Sequence, residues 1–180
     1  MFVRANGRII VLSEKITVAV SPGKGSLRPR EHTVFYVKYA LTVKKALRSP
    51  RFQRFIRWML KKENIAEQSV KTVQVMVFPF RKKNGKGLAG KWKSRGKVLI
   101  YPKRVESCQR LVRKRGEETA RSYIRNRARA ALMHELLHIK YLSDEREVRR
   151  LTKEYFLTFI RHLDTPSSDV SSMMKMLFRR

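Results

Sequence analysis

The chain has 180 residues and carries 43 Lys+Arg against 14 Asp+Glu, a formal charge of +29 at pH 7. At 42% apolar residues it can bury a real core, which excludes a wholly disordered polybasic tail and suits one domain with extensions. One cysteine, Cys108, excludes an internal disulfide and any zinc module built on paired cysteines. No apolar run approaches the roughly 18 residues of a membrane span. The opening MFVRANGRIIVLSEK has too short an apolar run for a secretory leader, so a cytoplasmic chain without membrane contact is expected.

In chain order, RIIVLSEKITVAV (Arg8 to Val20) is rich in β-branched residues and closes on Ser21-Pro22-Gly23, which predicts an edge strand or hairpin within residues 1–30. From Thr33 to Arg48, Val34, Val37, Leu41 and Leu47 alternate with lysines and predict an amphipathic helix. Ser49-Pro50 reads as a cap followed by proline in the first turn, opening a helix to Lys61 or Lys62 with Phe52, Phe55, Ile56 and Met59 on a buried stripe. Val70 to Phe80 and Lys97 to Tyr101 read as strands. Pro102 ends the second, a short helix covers Val105 to Lys114, and Gly116 breaks it. Glu117-Glu118 then opens a long helix to about Tyr141, with acids in its first turn as the helix dipole favours. Another helix runs from about Asp144 to Leu163. The fold class expected is α+β: a small antiparallel or mixed sheet on a helical core, forming one domain over 1–163 with a basic C-terminal extension over 164–180.

The long helix contains Met133-His134-Glu135-Leu136-Leu137-His138. Two histidines four residues apart project from one helix face, so both imidazoles can reach one cation, Zn2+ being the ion that suits them, and the Glu beside the first can deprotonate a metal-activated water. Leu132, Met133, Leu136, Leu137 and Ile139 surround the segment with apolar groups, which argues for burial, and buried imidazoles need partners. Five of the 14 acids fall between His134 and Glu154, and Asp144, Glu145, Glu147 and Glu154 are the candidates for a third ligand. Asp144 and Glu145 read most simply as capping the next helix, whereas Glu147 sits one turn in, where a carboxylate can point back.

The run ALMHELLHIKYLSDEREVRRLTKEYF resembles the small gluzincin-like metallopeptidases, including the ImmA-like and SprT-like groups, with HExxH on one helix and the third ligand on the next. The resemblance implies zinc held by His134, His138 and Glu147, because Glu147-Val148 matches the ligand position of the Glu-using members, with Glu135 as general base. LAGKWKSRGKVLIYP is similar to the glycine-led hairpin that borders the active-site helix in that family and can pair with an extended peptide. Tyr141, Tyr155 and His162 are the candidates for stabilising an oxyanion.

Between Arg81 and Arg104 lie ten Lys/Arg and no acid. Arg81, Lys82, Lys83, Lys86, Lys91, Lys93, Arg95 and Lys97, with Trp92 among them, form the densest candidate surface for a nucleic acid. Arg121, Arg125 and Arg129 recur every four residues and form a cationic stripe on the HExxH helix. Such charge calls for a polyanion, contacted through phosphates and shape. The expectation is an rRNA-binding, ribosome-associated protein on a zinc-binding, metallopeptidase-like scaffold. The alternative is a zinc-dependent metallopeptidase acting on proteins bound to nucleic acid.

Overall fold

The structure is a computed structural model that describes residues 4–5, 8–9, 16–21, 32–81, 87–162 and 167–178. Two short strands, β1 (Arg4–Ala5) and β2 (Arg8–Ile9), pair antiparallel. A four-stranded sheet follows from β3 (Thr17–Ser21), β4 (Thr72–Met76), β5 (Gly90–Lys93) and β6 (Lys97–Ile100), in the order β3-β4-β6-β5. The first three in space run parallel and β5 is antiparallel at the edge, so the sheet is mixed. With helices packed against it, the fold is α+β, as expected.

The helices follow the punctuation of the sequence closely. Helix α1 (Thr33–Leu47) ends before Ser49-Pro50, and α2 (Pro50–Lys62) takes Pro50 in its first turn, where a missing N–H costs nothing. A 3₁₀ turn, Glu67–Ser69, leads into β4. Gly116, at φ +82°, ends α3 (Val105–Arg115) and starts α4 (Glu117–Tyr141), a backbone shape that a side chain would strain. Asp144 caps α5 (Glu145–Arg161), its carboxylate accepting the N–H of Glu147 at 3.0 Å. Of the segment expected as an extension, residues 167–178 form α6 (Ser167–Phe178), which packs on α4 and α5, burying Val170 and Met173 and setting Phe178 against Phe156. The extension docks on the chain itself.

In α1 the helix is where expected but its buried face is not. Of the expected apolar residues Leu47 is fully buried, but Val34, Val37 and Leu41 are exposed, and Tyr36, Tyr39, Ala40 and Val43 fill the core instead. The aromatic rings decide the face: Tyr36 stacks edge-on with Phe78 beyond β4, and its hydroxyl accepts the backbone N–H of Val105 at 3.3 Å.

Helix α4 is central. It touches α1, α3, α5, α6, β5 and β6, and Leu132, Met133, Leu136 and Leu137 are fully buried within these contacts. Arg127 fastens it to the sheet edge by donating to the carbonyls of Tyr101 (2.8 Å) and Leu88 (3.4 Å), on either side of β5 and β6. A second fastening is the carboxylate of Glu63, buried at the end of α2. It accepts from the hydroxyls of Tyr155 on α5 and Tyr141 (2.7 Å) and from Lys140 (3.0 Å) at the end of α4.

Candidate metal centre

The HExxH spacing puts His134 and His138 one turn apart on α4, and α5 brings Glu145 opposite them. Nε2 of His134 lies 3.2 Å from Nε2 of His138 and 3.6 Å from Oε1 of Glu145, and Nε2 of His138 lies 3.4 Å from Oε2 of Glu145. Ligands at the usual ~2.0–2.1 Å from a tetrahedral zinc sit about 3.3–3.4 Å apart, so the triangle is already of ligand size. These three residues are the group among the described residues whose donor atoms could hold a metal ion.

The outer face of each imidazole fixes its tautomer. Nδ1 of His138 lies 2.6 Å from the carbonyl oxygen of Leu142, which can only accept, so Nδ1 carries the hydrogen and Nε2 keeps its lone pair. Thr152 donates its hydroxyl to the carbonyl of Val148 at 2.6 Å, which leaves its oxygen to accept from Nδ1 of His134 in a long contact of 3.4 Å. The inward Nε2 atoms of both rings thus face each other and a carboxylate, and a cation among the three groups would relieve their mutual repulsion, which is the sense in which these residues fit a metal. Burial keeps His134 neutral, pushing its pKa below the ordinary histidine value against the pull of Glu145. Burial opposes the charge on Glu145, but a 2.6 Å bond from Arg149 and the nearby histidines hold its carboxyl below the ordinary range.

Leu142 needs an unusual backbone to present that carbonyl: it stands at φ +47°, ψ −110°, with its side chain 73% exposed. A non-glycine residue held there is strained, and the strain coincides with support of a candidate ligand.

Of the four acids considered for a third ligand, the structure sets Glu145 beside the histidines, whereas Glu147 is gripped by Arg150 through bonds of 2.6 and 2.8 Å. Glu154 also pairs with Arg150, at 3.0 Å, and Asp144 is occupied as the cap. The helix starts at Glu145, and its first residue faces α4.

Glu135 projects from the same turn of α4 toward the sheet edge. Its Oε2 accepts the backbone N–H of Trp92 in β5 at 2.7 Å, and Gly90 lies against its side chain. The carboxylate also raises the pKa of Tyr101, though burial of that phenol is the larger cause. A cleft of about 730 Å³ opens here, bounded by Gly87 to Gly90, by His134 and Glu135, and by α5 from Glu145 to Lys153. The oxyanion candidates are placed elsewhere: Tyr141 and Tyr155 spend their hydroxyls on Glu63, and His162 is exposed at the end of α5.

The candidate nucleic-acid residues divide. Lys91, Trp92, Lys93 and Arg95 are exposed on the β5–β6 hairpin with Lys97 beside them, and Arg81 is exposed nearby, while Lys82, Lys83 and Lys86 lie outside the described residues. The stripe on α4 is not a free cationic face. Arg121 pairs with Glu117 at 2.5 Å, Arg125 pairs with Glu118 at 2.8 Å, and Arg129 is half-buried, its guanidinium over the rings of Phe52 and Phe159. Burial, helped by Arg125, pushes the Arg129 guanidinium down to about 10.

Sequence reasoning passed over Thr152, Leu142, Arg149 and Glu63. Thr152 had a signal, since it lies seven residues from Glu145 and therefore on the same face of α5. The role of Leu142 is carried by its backbone and leaves no mark in residue type. No family model matches this chain, and neither curated proteins nor solved structures gave a match. No helix among the described residues is long and apolar enough to cross a membrane.

Proposed function

We propose that this chain is a zinc-dependent peptidase whose basic exterior holds it on a nucleic acid. The observation that carries the reading is the set of ligands beside the cleft. Among the described residues three protein donors converge and Glu135 stands next to them at the mouth of an open cleft, whereas a structural zinc is closed by four protein ligands. His134, His138 and Glu145 would hold the ion, which when bound supplies Lewis-acid polarisation of a carbonyl and lowers the pKa of water. The chain's own residues supply the rest. Glu135 is placed to accept a proton from the attacking water and return it to the leaving amine, and β5 offers a strand edge along which a peptide can lie. Leu142 and Thr152 hold the imidazoles in the ligating tautomer.

A second reading keeps the same fold but makes rRNA binding the function and the metal an element of stability. The charge of +29 and the exposed Lys91, Lys93 and Arg95 favour it. Metal analysis combined with turnover separates the two. Protein purified with zinc should cleave an unfolded substrate such as casein, and Glu135→Gln should keep the zinc and lose the cleavage. Full zinc with no cleavage by either form, together with salt-sensitive sedimentation with ribosomes, would favour the second reading.

A further inference from the structure

The cleft beside the histidines also carries the chemistry of a substrate, an inference that rests on the peptidase reading and gives it a specificity. Helix α5 lines the cleft with Arg146, Arg149 and Lys153, spaced three and four residues apart and so on one side of the helix. The stripe is about 10 Å long at the helical rise, the length of about three residues of extended chain. Arg149 is already bonded to Glu145, while Arg146 and Lys153 are exposed and make no ion pair among the described residues. The carboxylates lining the cleft near this wall are Glu135 and Glu145, and both are committed to the centre itself. A negative charge brought to the wall by a ligand therefore meets two cations that no ion pair within the cleft ties down, although Glu147 lies within the field of Arg146.

The opposite wall, Gly87 to Gly90, leads into the edge strand β5 and presents backbone, which pairs with backbone. Tyr123, buried, and Phe178, half-buried, are the aromatic residues on the cleft, so a nucleobase would find no exposed ring to stack on. We propose that the cleft takes extended peptides bearing Asp or Glu side chains within two residues of the scissile bond, read by Arg146 and Lys153.

Binding to zinc-loaded full-length Glu135→Gln protein tests this without turnover. Fluorescein-labelled peptides with two central Glu residues, and matched peptides with Gln or Lys there, are compared by anisotropy at physiological salt. The Glu peptide should bind about tenfold tighter than the Gln peptide, and Arg146→Glu with Lys153→Glu should invert the order toward Lys. Arg146→Gln with Lys153→Gln should abolish the preference without inverting it, and circular dichroism verifies that both variants fold. The matched reversal outside the cleft, Arg110→Glu with Arg113→Glu, should leave the preference intact. Equal binding of Glu and Gln peptides overturns the proposal, as does an equal loss from the α3 reversal, which would mark general charge. Binding of a labelled single-stranded oligonucleotide more tightly than the Glu peptide, lost with the α5 reversal and kept with the α3 reversal, would assign the cleft to nucleic acid instead. Failure of the peptidase reading shows separately, as wild-type turnover that Glu135→Gln leaves unchanged.

Discussion

Gly90 and Glu135 stand so close that a β-carbon on Gly90 would lie 2.7 Å from Cγ of Glu135 and 3.0 Å from its Oε1. The glycine is needed because an edge strand crosses the HExxH helix at Glu135, the residue proposed as base. Since the obstructing atoms belong to a flexible side chain, Gly90→Ala should relieve its clash by swinging Glu135 aside rather than by unfolding. The expected outcome is a kcat lower by at least an order of magnitude, a KM little changed and a loss of stability at the low end of the ~1–3 kcal/mol typical of overpacking. Turnover kinetics and denaturant melts on one preparation check it, and unchanged kcat would separate Gly90 from the base.

The outer partners of the two imidazoles predict a graded effect on metal binding. Thr152→Val keeps the shape but removes the oxygen that accepts from His134, and Leu142→Pro forbids the positive φ that aims a carbonyl at His138. Each should weaken zinc about 10–100-fold in competition with a chromophoric chelator. Thr152→Ser should restore most of the affinity. Leu142→Gly should bind zinc as the parent does, because glycine adopts that backbone readily.

Ligand assignment makes a sharper distinction. Glu145→Ala should strip zinc from the protein, whereas Glu147→Ala should leave it bound and cost only a surface pair with Arg150, with little effect on stability. Metal content by mass spectrometry decides between them, and the reverse pattern would return Glu147 to the centre.

Glu63 gives a pH dependence. Burial opposes its charge, but the hydroxyls of Tyr155 and Tyr141 and the ammonium of Lys140 outweigh that and hold its pKa below the ordinary 4.5. A carboxylate depressed on folding adds stability that is complete above about pH 4.5 and is lost as the pH falls through its lower, folded value. Glu63→Gln should therefore cost about 1–3 kcal/mol at neutral pH, with the gap from the parent closing on acidification below 4.5. A gap constant down to acid pH would mean that the charge contributes nothing.

For nucleic-acid binding, replacing Lys91, Lys93 and Arg95 by Gln should weaken binding to a structured RNA and lower the slope of log K against log salt by about 2 to 3. Arg129→Met should leave that slope unchanged, because its guanidinium is stacked on Phe52 and Phe159. A drop with Arg129→Met would restore the α4 stripe as a phosphate contact.

Most of the fold was legible because its punctuation is local. Pro50, Gly116 and Asp144 mark helix ends by backbone rules that need no tertiary context. What spacing could not supply was azimuth. The apolar triplet Val34, Val37 and Leu41 satisfied helical periodicity, yet the rings of Tyr36 and Tyr39 took the buried face. The same gap separates Glu145 from Glu147: both stand in the first turn of α5, and which one meets the histidines depends on how α5 crosses α4. The basic stripe shows the same gap, since Arg121, Arg125 and Arg129 share a side of the helix but not an environment.

Glu63 joins the end of α2 to the end of α4 and the middle of α5, the two helices that carry the histidine–glutamate group, and it does so with carboxylate, hydroxyl and ammonium groups alone. The scaffold is therefore preassembled, unlike small zinc modules that collapse only around their ion. Removing the metal should silence the protein without unfolding it, so its activity would follow zinc supply reversibly, rising and falling within one pool of folded molecules and needing no new synthesis.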